Sequence, residues 1–258
     1  MRSEILYGIH PVHEALRAGR RRIDRIYVAA DKSSERIRSV LVMAEAKGVP
    51  ITEVKPGFLR ELCATGVHQG LAAAVGVYPM TDIEDVLADS SSWQVPAFLL
   101  VLDGITDPQN LGALLRTALC AGVHAVVLPK DRSVQPNPTV CRASAGAMEH
   151  LQIARVINVA SCLRMLKQRR IWIVGLDPGA GKWIYDIDWS LPVAVVIGAE
   201  SRGIRPLVKA QCDWLAAIPQ AAGFNSLNAS VAGALVMYEV LRARKGHGSS
   251  ESGNPSFA

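Results

Sequence analysis

Short apolar runs alternate with amphipathic stretches along the second half of the chain. Residues 97–103, 125–129, 171–177 and 192–198 are apolar at almost every position. Strands of this kind are typical of a parallel sheet that is covered by helices on both faces. We therefore predict an α/β domain over residues 96–245, in which ligands bind at the carboxyl ends of the strands.

The first 78 residues carry shorter elements. The pattern predicts helices over residues 10–16, 34–47 and 56–62 and strands over residues 22–30, 51–54 and 70–78. Ser33 or Ser34 is expected to cap the second helix, which Gly48 and Pro50 end. This pattern predicts a separate small α/β domain over residues 1–78.

Two polar segments separate or follow these domains. Residues 79–95 hold four acidic residues, no basic residue and a run of serines. We interpret them as a linker that contains at most one short helix. Residues 246–258 are rich in glycine and serine, which predicts a disordered tail.

Composition excludes several classes of protein. The 258 residues are 50% hydrophobic and 20% charged, which argues against wholesale disorder. No apolar run approaches the ~18–20 residues of a membrane helix. Glu4 and His10 lie where a signal peptide needs an apolar core, so secretion is not expected. The five cysteines never form a CxxC pair, which predicts neither a disulfide framework nor a zinc site and indicates a reducing cytoplasm.

The net charge of +5 arises from two basic blocks that flank the acidic segment. Basic blocks attract polyanions, of which the phosphate backbone of nucleic acid is the commonest. Charge alone fits a solvated surface equally well. We nevertheless interpret Arg20, Arg21 and Arg22 as a contact with RNA phosphates.

The first of three polar loops follows the strand at residues 97–103. Asn110 is expected to cap a helix over residues 110–121. Gly112 and Arg116 are four residues apart, so they lie side by side on that helix. We expect Gly112 to leave room for a ligand beside the guanidinium. The alternative is an ordinary surface arginine on an amphipathic helix.

The second loop, residues 198–203, places Glu200 between Gly198 and Gly203. Glycine permits a positive φ angle and a close approach of a ligand. Glu200 is expected to accept hydrogen bonds from an amine or hydroxyl, or to orient Arg116. A plain turn with Glu200 at a helix N-terminus is the alternative.

The third loop begins at Pro219, which must leave the sheet because it has no N–H group. A group of polar side chains then precedes a helix over residues 228–244. A helix cap accounts for one of them but not for all. The group is Asn225, Ser226, Asn228 and Ser230.

Together, the three loops resemble the three motifs of the SpoU-type RNA ribose 2′-O-methyltransferases of the SPOUT superfamily. The matching patterns are NxGxxxRxA at 110–118, GAExxG at 198–203, and IP followed by SLNxS at 218–230. Residues 7–16 and the His68-Gln69-Gly70 triplet resemble the N-terminal RNA-binding extension of this family. The resemblance covers residues 5–244.

The resemblance implies an L30e/L7Ae-like α/β domain followed by an α/β domain with a deep trefoil knot. It also implies S-adenosylmethionine as cofactor, no metal ion, and a homodimer whose interface contains the knot face and the last helix. The residues expected to contact the cofactor are Gly198, Ile218 and Leu227. The residues expected to line the place where the ribose meets the methyl group are Asn110, Arg116, Glu200 and Asn228.

The implied reaction is methyl transfer to the ribose 2′-oxygen of a guanosine in 23S ribosomal RNA. Because a protonated guanidinium has no acceptor, we expect Arg116 to stabilise the developing alkoxide or to orient a phosphate, rather than to act as the base. Two alternatives remain open. One is ribose methylation of transfer RNA, and the other is a non-catalytic RNA-binding role in ribosome assembly.

Overall fold

The computed structural model describes residues 3–30, 34–88, 93–221 and 227–248. These residues form two compact units. Unit 1 lies within residues 1–81, 106–119 and 134–152, and unit 2 lies within residues 82–105, 120–133 and 153–258. Two segments of the second predicted domain therefore belong to the same compact unit as the N-terminal residues.

The sheet of unit 1 has four strands in the order β1-β4-β2-β3. The strands are β1 (Ser3–Tyr7), β2 (Ile23–Ala29), β3 (Ile51–Val54) and β4 (Leu71–Gly76). Strand β4 pairs antiparallel with both β1 and β2, whereas β2 and β3 are parallel. The sequence pattern did not predict β1, because Leu6 is its only buried residue.

The helices of unit 1 agree with the predicted elements to within about two residues at most ends. They are α1 (Ile9–Ala18), α2 (Glu35–Ala46), α3 (Pro56–Cys63), α5 (Pro108–Cys120, which ends at the boundary of the unit) and α6 (Pro138–Ala143), with a 3₁₀ turn at Ala147–His150. Of the two candidate caps of α2, Ser34 accepts a hydrogen bond from the backbone N–H of Ile37. Ser33 lies outside the described residues.

The interpretation of the three consecutive arginines as an RNA contact is wrong for Arg21. This residue is 8% exposed and is buried by its partners within unit 1. Its Nε donates to Glu149 at 3.0 Å, and its Nη1 donates to Glu4 at 2.9 Å. A buried cation needs such partners because its desolvation costs several kcal/mol. The sequence could not reveal a partner that is 128 residues away.

Unit 2 contains a seven-stranded sheet in the order β7-β6-β5-β10-β8-β11-β9. The strands are β5 (Phe98–Asp103), β6 (Ala125–Pro129), β7 (Gln152–Val156), β8 (Trp172–Leu176), β9 (Lys182–Trp183), β10 (Val193–Gly198) and β11 (Trp214–Ala217). The pairs β5–β6, β5–β10, β10–β8, β8–β11 and β11–β9 are parallel. The predicted parallel α/β domain is confirmed, although β9 was too short to be recognised from its sequence.

The helices of unit 2 are α4 (Ile83–Ala88), α7 (Val159–Gln168), α8 (Pro206–Lys209) and α9 (Ala229–Gly248). Helix α4 lies inside the stretch that was interpreted as a linker, and its residues Ile83, Val86 and Leu87 join the core of the unit. Helix α9 continues four residues beyond its predicted end at residue 244. The remaining tail, residues 249–258, lies outside the described residues.

The expectation that Gly112 leaves room for a ligand is wrong. A Cβ atom on Gly112 would lie 2.3 Å from the Cβ of Ala143 and 2.9 Å from the backbone N of Ser144. The space beside Gly112 is therefore filled by the backbone at the end of α6. Gly112 permits two helices of unit 1 to approach closely.

We expect Gly112→Ala to lower the free energy of unfolding by about 1–3 kcal/mol, because the added methyl overlaps α6. Urea denaturation measures this change. Gly57→Ala is the matched control, since Gly57 also lies in a helix and a Cβ there would meet nothing within 4 Å. An equal loss of stability in both variants would show that the close approach to α6 is not the cause.

Candidate functional site

The carboxyl edge of the sheet in unit 2 carries a pocket of about 190 Å³. Its walls come from the ends of β8, β10 and β11 and from the start of α9. This is the position expected for a ligand site, at the carboxyl ends of parallel strands. The lining residues are mostly small or aliphatic, with three polar side chains. They are Leu176, Asp177, Pro178, Ile197, Gly198, Ala199, Glu200, Gly203, Ala216, Ile218, Gln220, Leu227, Ala229 and Ala232.

The second loop wraps around one side of this pocket. Gly203 has a φ angle of +62°, and its N–H donates to the carbonyl of Ala199 at 2.7 Å. A Cβ on Gly198 would lie 2.0 Å from the backbone carbon of Gly203. The expected positive φ angle is therefore confirmed at Gly203. The backbone of Gly203 approaches Gly198 so closely that residue 198 has no room for a side chain.

Glu200 is joined to the beginning of α9. Its Oε1 accepts hydrogen bonds from the side-chain amide of Asn228 and, at 3.3 Å, from the backbone N–H of Ala229. Asn228 in turn caps the helix, because its Oδ1 accepts from the backbone N–H of Ser230 at 2.9 Å. The carboxylate of Glu200 therefore lies at the positive end of the α9 dipole, which stabilises its charge.

A buried ion pair fixes the far end of the same loop. Asp103, the last residue of β5, is 1% exposed. Its carboxylate accepts from the backbone N–H of Arg205 at 2.9 Å and from the Nε of the same residue at 2.8 Å. The pair thus ties the loop between β10 and α8 to the centre of the sheet. Sequence reasoning did not single out either residue.

Asp177 is a second acidic group of the pocket that sequence reasoning missed. The Nζ of Lys209 lies 2.5 Å from its Oδ2, and the backbone N–H of Gly179 donates to its Oδ1 at 2.9 Å. The hydrogen bond from Lys209 lowers the pKa of the Asp177 carboxyl below its ordinary value. The pocket therefore contains carboxylates from Asp177 and Glu200. The available signal was an acidic residue at the end of the predicted strand at 171–177.

Asn110 and Arg116 lie on α5 in unit 1. The helix begins two residues earlier than expected, and Asp107, not Asn110, is the cap: its Oδ1 accepts from the backbone N–H of Gln109 at 3.1 Å. Arg116 is exposed, and within the described part of the chain it makes no hydrogen bond or ion pair. Its guanidinium is therefore available for a ligand.

The structure thus gathers most of the sequence-derived candidates of unit 2 into one place. Gly198, Ile218, Leu227 and Glu200 line the pocket, and Asn228 is bonded to Glu200. Of the other polar candidates in the third loop, Ser230 is bonded to Asn228, whereas Asn225 and Ser226 lie outside the described residues. Among the described residues, no group of three or more side chains could hold a metal ion. No described helix has the length and apolar character needed to cross a membrane.

Removal of the Arg205 side chain leaves the buried carboxylate of Asp103 with only its backbone partner. We expect Arg205→Ala to lower the free energy of unfolding by about 2–4 kcal/mol. The loss is smaller than for a fully buried pair, because the Arg205 side chain is 42% exposed. Chemical denaturation provides the measurement, with Arg202→Ala in the same exposed loop as control. Equal stability of both variants would contradict the role of the pair.

The fold and the pocket define an α/β protein with a pocket at the carboxyl edge of a parallel sheet, which is where such sheets bind ligands. Residues 97–238 match the model of the SpoU rRNA methylase family. Residues 5–80 match the model described as RNA 2′-O ribose methyltransferase substrate binding. The chain therefore belongs to the SpoU rRNA methylase family.

Individual relatives agree with this assignment. The chain is 42% identical over 243 residues to the 23S rRNA (guanosine-2′-O-)-methyltransferase RlmB of Ralstonia nicotianae, with 94% of this chain and 97% of that protein covered. It is 39% identical to the RlmB of Escherichia coli, with 94% and 99% covered. The crystal structure of an AdoMet-bound rRNA methyltransferase from Sinorhizobium meliloti is similar, with a TM-score of 0.75, 25% identity, and 93% and 87% of the two chains covered.

Proposed function

We propose that this protein transfers a methyl group from S-adenosylmethionine to the ribose 2′-oxygen of a guanosine in 23S ribosomal RNA. The observation that carries the proposal is the pocket in unit 2, where the three residues expected to contact the cofactor meet in a member of this family. Gly198, Ile218 and Leu227 all line it. Extensive identity to RlmB proteins supports the choice of RNA.

The pocket has the chemistry that S-adenosylmethionine requires. Aliphatic walls from Leu176, Ile197 and Ile218 suit the faces of an adenine ring. The carboxylates of Asp177 and Glu200 offer acceptors for hydroxyl groups and a negative charge near a sulfonium. When bound, the cofactor supplies an activated methyl group, so the protein has to supply only geometry and charge.

Within this proposal, Arg116 acts on the attacking ribose. Its guanidinium stabilises negative charge that develops on the 2′-oxygen, or it holds a phosphate that accepts the proton. Asn110, six residues earlier on α5, positions Arg116 or the ribose. Glu200 and Asn228 act from the pocket side, where Asn228 orients the carboxylate through its amide. Positioning of such groups contributes several kcal/mol to a displacement reaction.

Residues 5–80 are proposed to bind the RNA. Arg21 is excluded from this contact because it is buried. Of the three arginines interpreted as an RNA contact, Arg20 and Arg22 remain candidates: Arg22 is exposed and pairs with Asp24, and Arg20 donates to the hydroxyl of Tyr78. Arg17 and Arg25 are further exposed cationic side chains of this segment. Because phosphate contacts release counterions, we propose that binding weakens as salt is raised.

We further propose a homodimer that uses α9, a trefoil knot formed by the loops of the pocket, and a cytoplasmic location. Three large apolar side chains at helical spacing favour the dimer. Val231, Leu235 and Tyr238 are 46%, 42% and 51% exposed. Exposed apolar stripes of this kind mark surfaces that bind another protein.

The proposed role of Arg116 is tested by transfer of tritiated methyl from S-adenosylmethionine to unmodified 23S ribosomal RNA, with transfer RNA as a second substrate. We expect label on a ribose 2′-oxygen of 23S RNA with the wild-type protein. Arg116→Ala should lose at least about 100-fold in kcat. Arg116→Lys should also fail, because lysine keeps the charge but not the planar fork.

Cofactor binding is measured in parallel by calorimetry and should be unchanged in both variants. Near-normal turnover of Arg116→Lys would contradict the geometric role of the guanidinium. Label on transfer RNA instead would overturn the choice of substrate. The absence of both transfer and cofactor binding would indicate a non-catalytic RNA-binding protein.

The proposed dimer is tested by light scattering on a sizing column. We expect the wild-type protein to have twice the mass of one chain and Leu235→Glu to have the mass of one chain, because a charge cannot be buried in an apolar interface. Val42→Glu is the control, since Val42 is 65% exposed on α2. A monomeric wild-type protein, or an unchanged mass for Leu235→Glu, would contradict the interface.

A further inference from the structure

Within unit 1, a buried cluster joins the N-terminal segment to the turn that follows α6. Arg21 lies between β4 and this turn, where its Nε and Nη2 both donate to the carboxylate of Glu149. Glu149 is fully buried, and the Sγ of Cys141 donates to it at 3.1 Å. The same guanidinium donates to the carbonyl of Gly76 at 3.1 Å and to Glu4. The side chains of both partners of this ion pair are thus buried.

Two further contacts join the same segments. The hydroxyl of Tyr78 lies 3.1 Å from the carbonyl of Met148 and 2.5 Å from that of Leu151. The Nε2 of His150 lies 2.6 Å from the Oε2 of Glu14 on α1. Three polar contacts therefore fix the turn at residues 147–151 against α1, the segment that follows α1 and the segment that follows β4.

The same turn is linked to the helix that carries Arg116. Gly112 on α5 lies against Ala143 and Ser144 at the end of α6, at a distance that leaves no room for a side chain. Ser144 is fully buried, and its Oγ accepts from the backbone N–H of Met148 at 3.2 Å. A continuous path thus runs from Arg21 to Glu149, along the chain to Met148, and through Ser144 to Gly112.

From these contacts we infer that Arg21 and Glu149 are positioning residues for methyl transfer. The pair holds the RNA-binding segment, residues 5–80, in a fixed position relative to α5 and therefore to Arg116. The inference rests on the proposed function. It states that the buried pair of Arg21 and Glu149 aligns the bound RNA with the guanidinium of Arg116.

The physical reason is the steep dependence of reaction rate on geometry. A misplacement of ~1 Å at a reacting group costs about 100-fold in rate. A bidentate arginine–carboxylate pair fixes distance and orientation together, because the planar fork permits only one arrangement. Removal of the pair should therefore impair the rate more than the binding of either substrate.

The test compares Glu149→Gln with the wild-type protein at a temperature well below the unfolding transition of both. The amide keeps the shape of the side chain but carries no negative charge. One of the two acceptor oxygens becomes an NH2 donor, so the side chain can no longer accept from both N–H groups of the guanidinium. We expect kcat for 23S ribosomal RNA to fall at least tenfold, with KM for the RNA and the Kd for S-adenosylmethionine within about threefold of the wild-type values. Glu45→Gln, which neutralises an exposed carboxylate on α2 in the same way, is the matched control and should leave kcat unchanged.

Tyr78→Phe provides a second variant in case Glu149→Gln does not fold. It removes only the hydroxyl that bonds to Met148 and Leu151, and we expect kcat to fall about three- to tenfold with KM retained. Arg21→Lys should retain more activity than Arg21→Met, because it keeps the charge opposite Glu149. Unchanged kcat in folded Glu149→Gln and Tyr78→Phe, with only a lower unfolding temperature, would overturn the inference and leave a purely stabilising pair.

Hydrogen exchange separates this inference from the proposed function. In Glu149→Gln we expect faster exchange of amides in β1, the 147–150 turn and α5, with unchanged protection in β5 and β10 of unit 2. If the wild-type protein methylates no RNA, the proposed function fails. The coupling of the N-terminal segment to α5 is then supported or overturned by the exchange pattern alone, since uniform exchange in all these elements would exclude it.

Discussion

The ion pair between the buried carboxylate of Asp103 and Arg205 is the interaction on which the pocket of unit 2 depends. Asp103 lies at the end of β5, the strand beside β10 in the sheet. By accepting hydrogen bonds from Arg205, it holds the end of the loop that contains Gly198, Glu200 and Gly203. Burial of a charge is favourable only with such partners, so the loop cannot leave this edge without a large loss of stability.

The acidic wall of the pocket follows from this arrangement. The carboxylate of Glu200 is held at the start of α9, where the side-chain amide of Asn228 and the backbone N–H of Ala229 donate to it. Asp177 is held by Lys209 from α8, which keeps its carboxyl ionised. The two carboxylates and the aliphatic side chains together line one pocket. In the proposed function, the aliphatic side chains suit the adenine ring of S-adenosylmethionine, and the carboxylates suit its hydroxyl groups and its sulfonium.

In unit 1, buried polar contacts hold together segments that are distant in the sequence. Arg21, Glu149 and Tyr78 lie at the centre of these contacts. Hydrophobic packing tolerates sliding, whereas bidentate and paired hydrogen bonds specify one register. The proposed positioning of RNA against Arg116 requires such a register. Arg116 itself remains exposed and without internal partners in the described part of the chain.

The sequence by itself determined the parallel α/β class, most elements and four of the residues that line the pocket, Gly198, Glu200, Ile218 and Leu227. Strands that are apolar at every position need helices on both faces of the sheet. In a parallel sheet, the polar loops after such strands meet at one edge. It did not determine the roles of Gly112, Arg21, Asp103 or Asp177. Those roles depend on neighbours such as Ala143, which tertiary structure alone brings together. A local pattern records what one residue prefers, whereas close approach and ion pairing depend on the distant residue that arrives beside it.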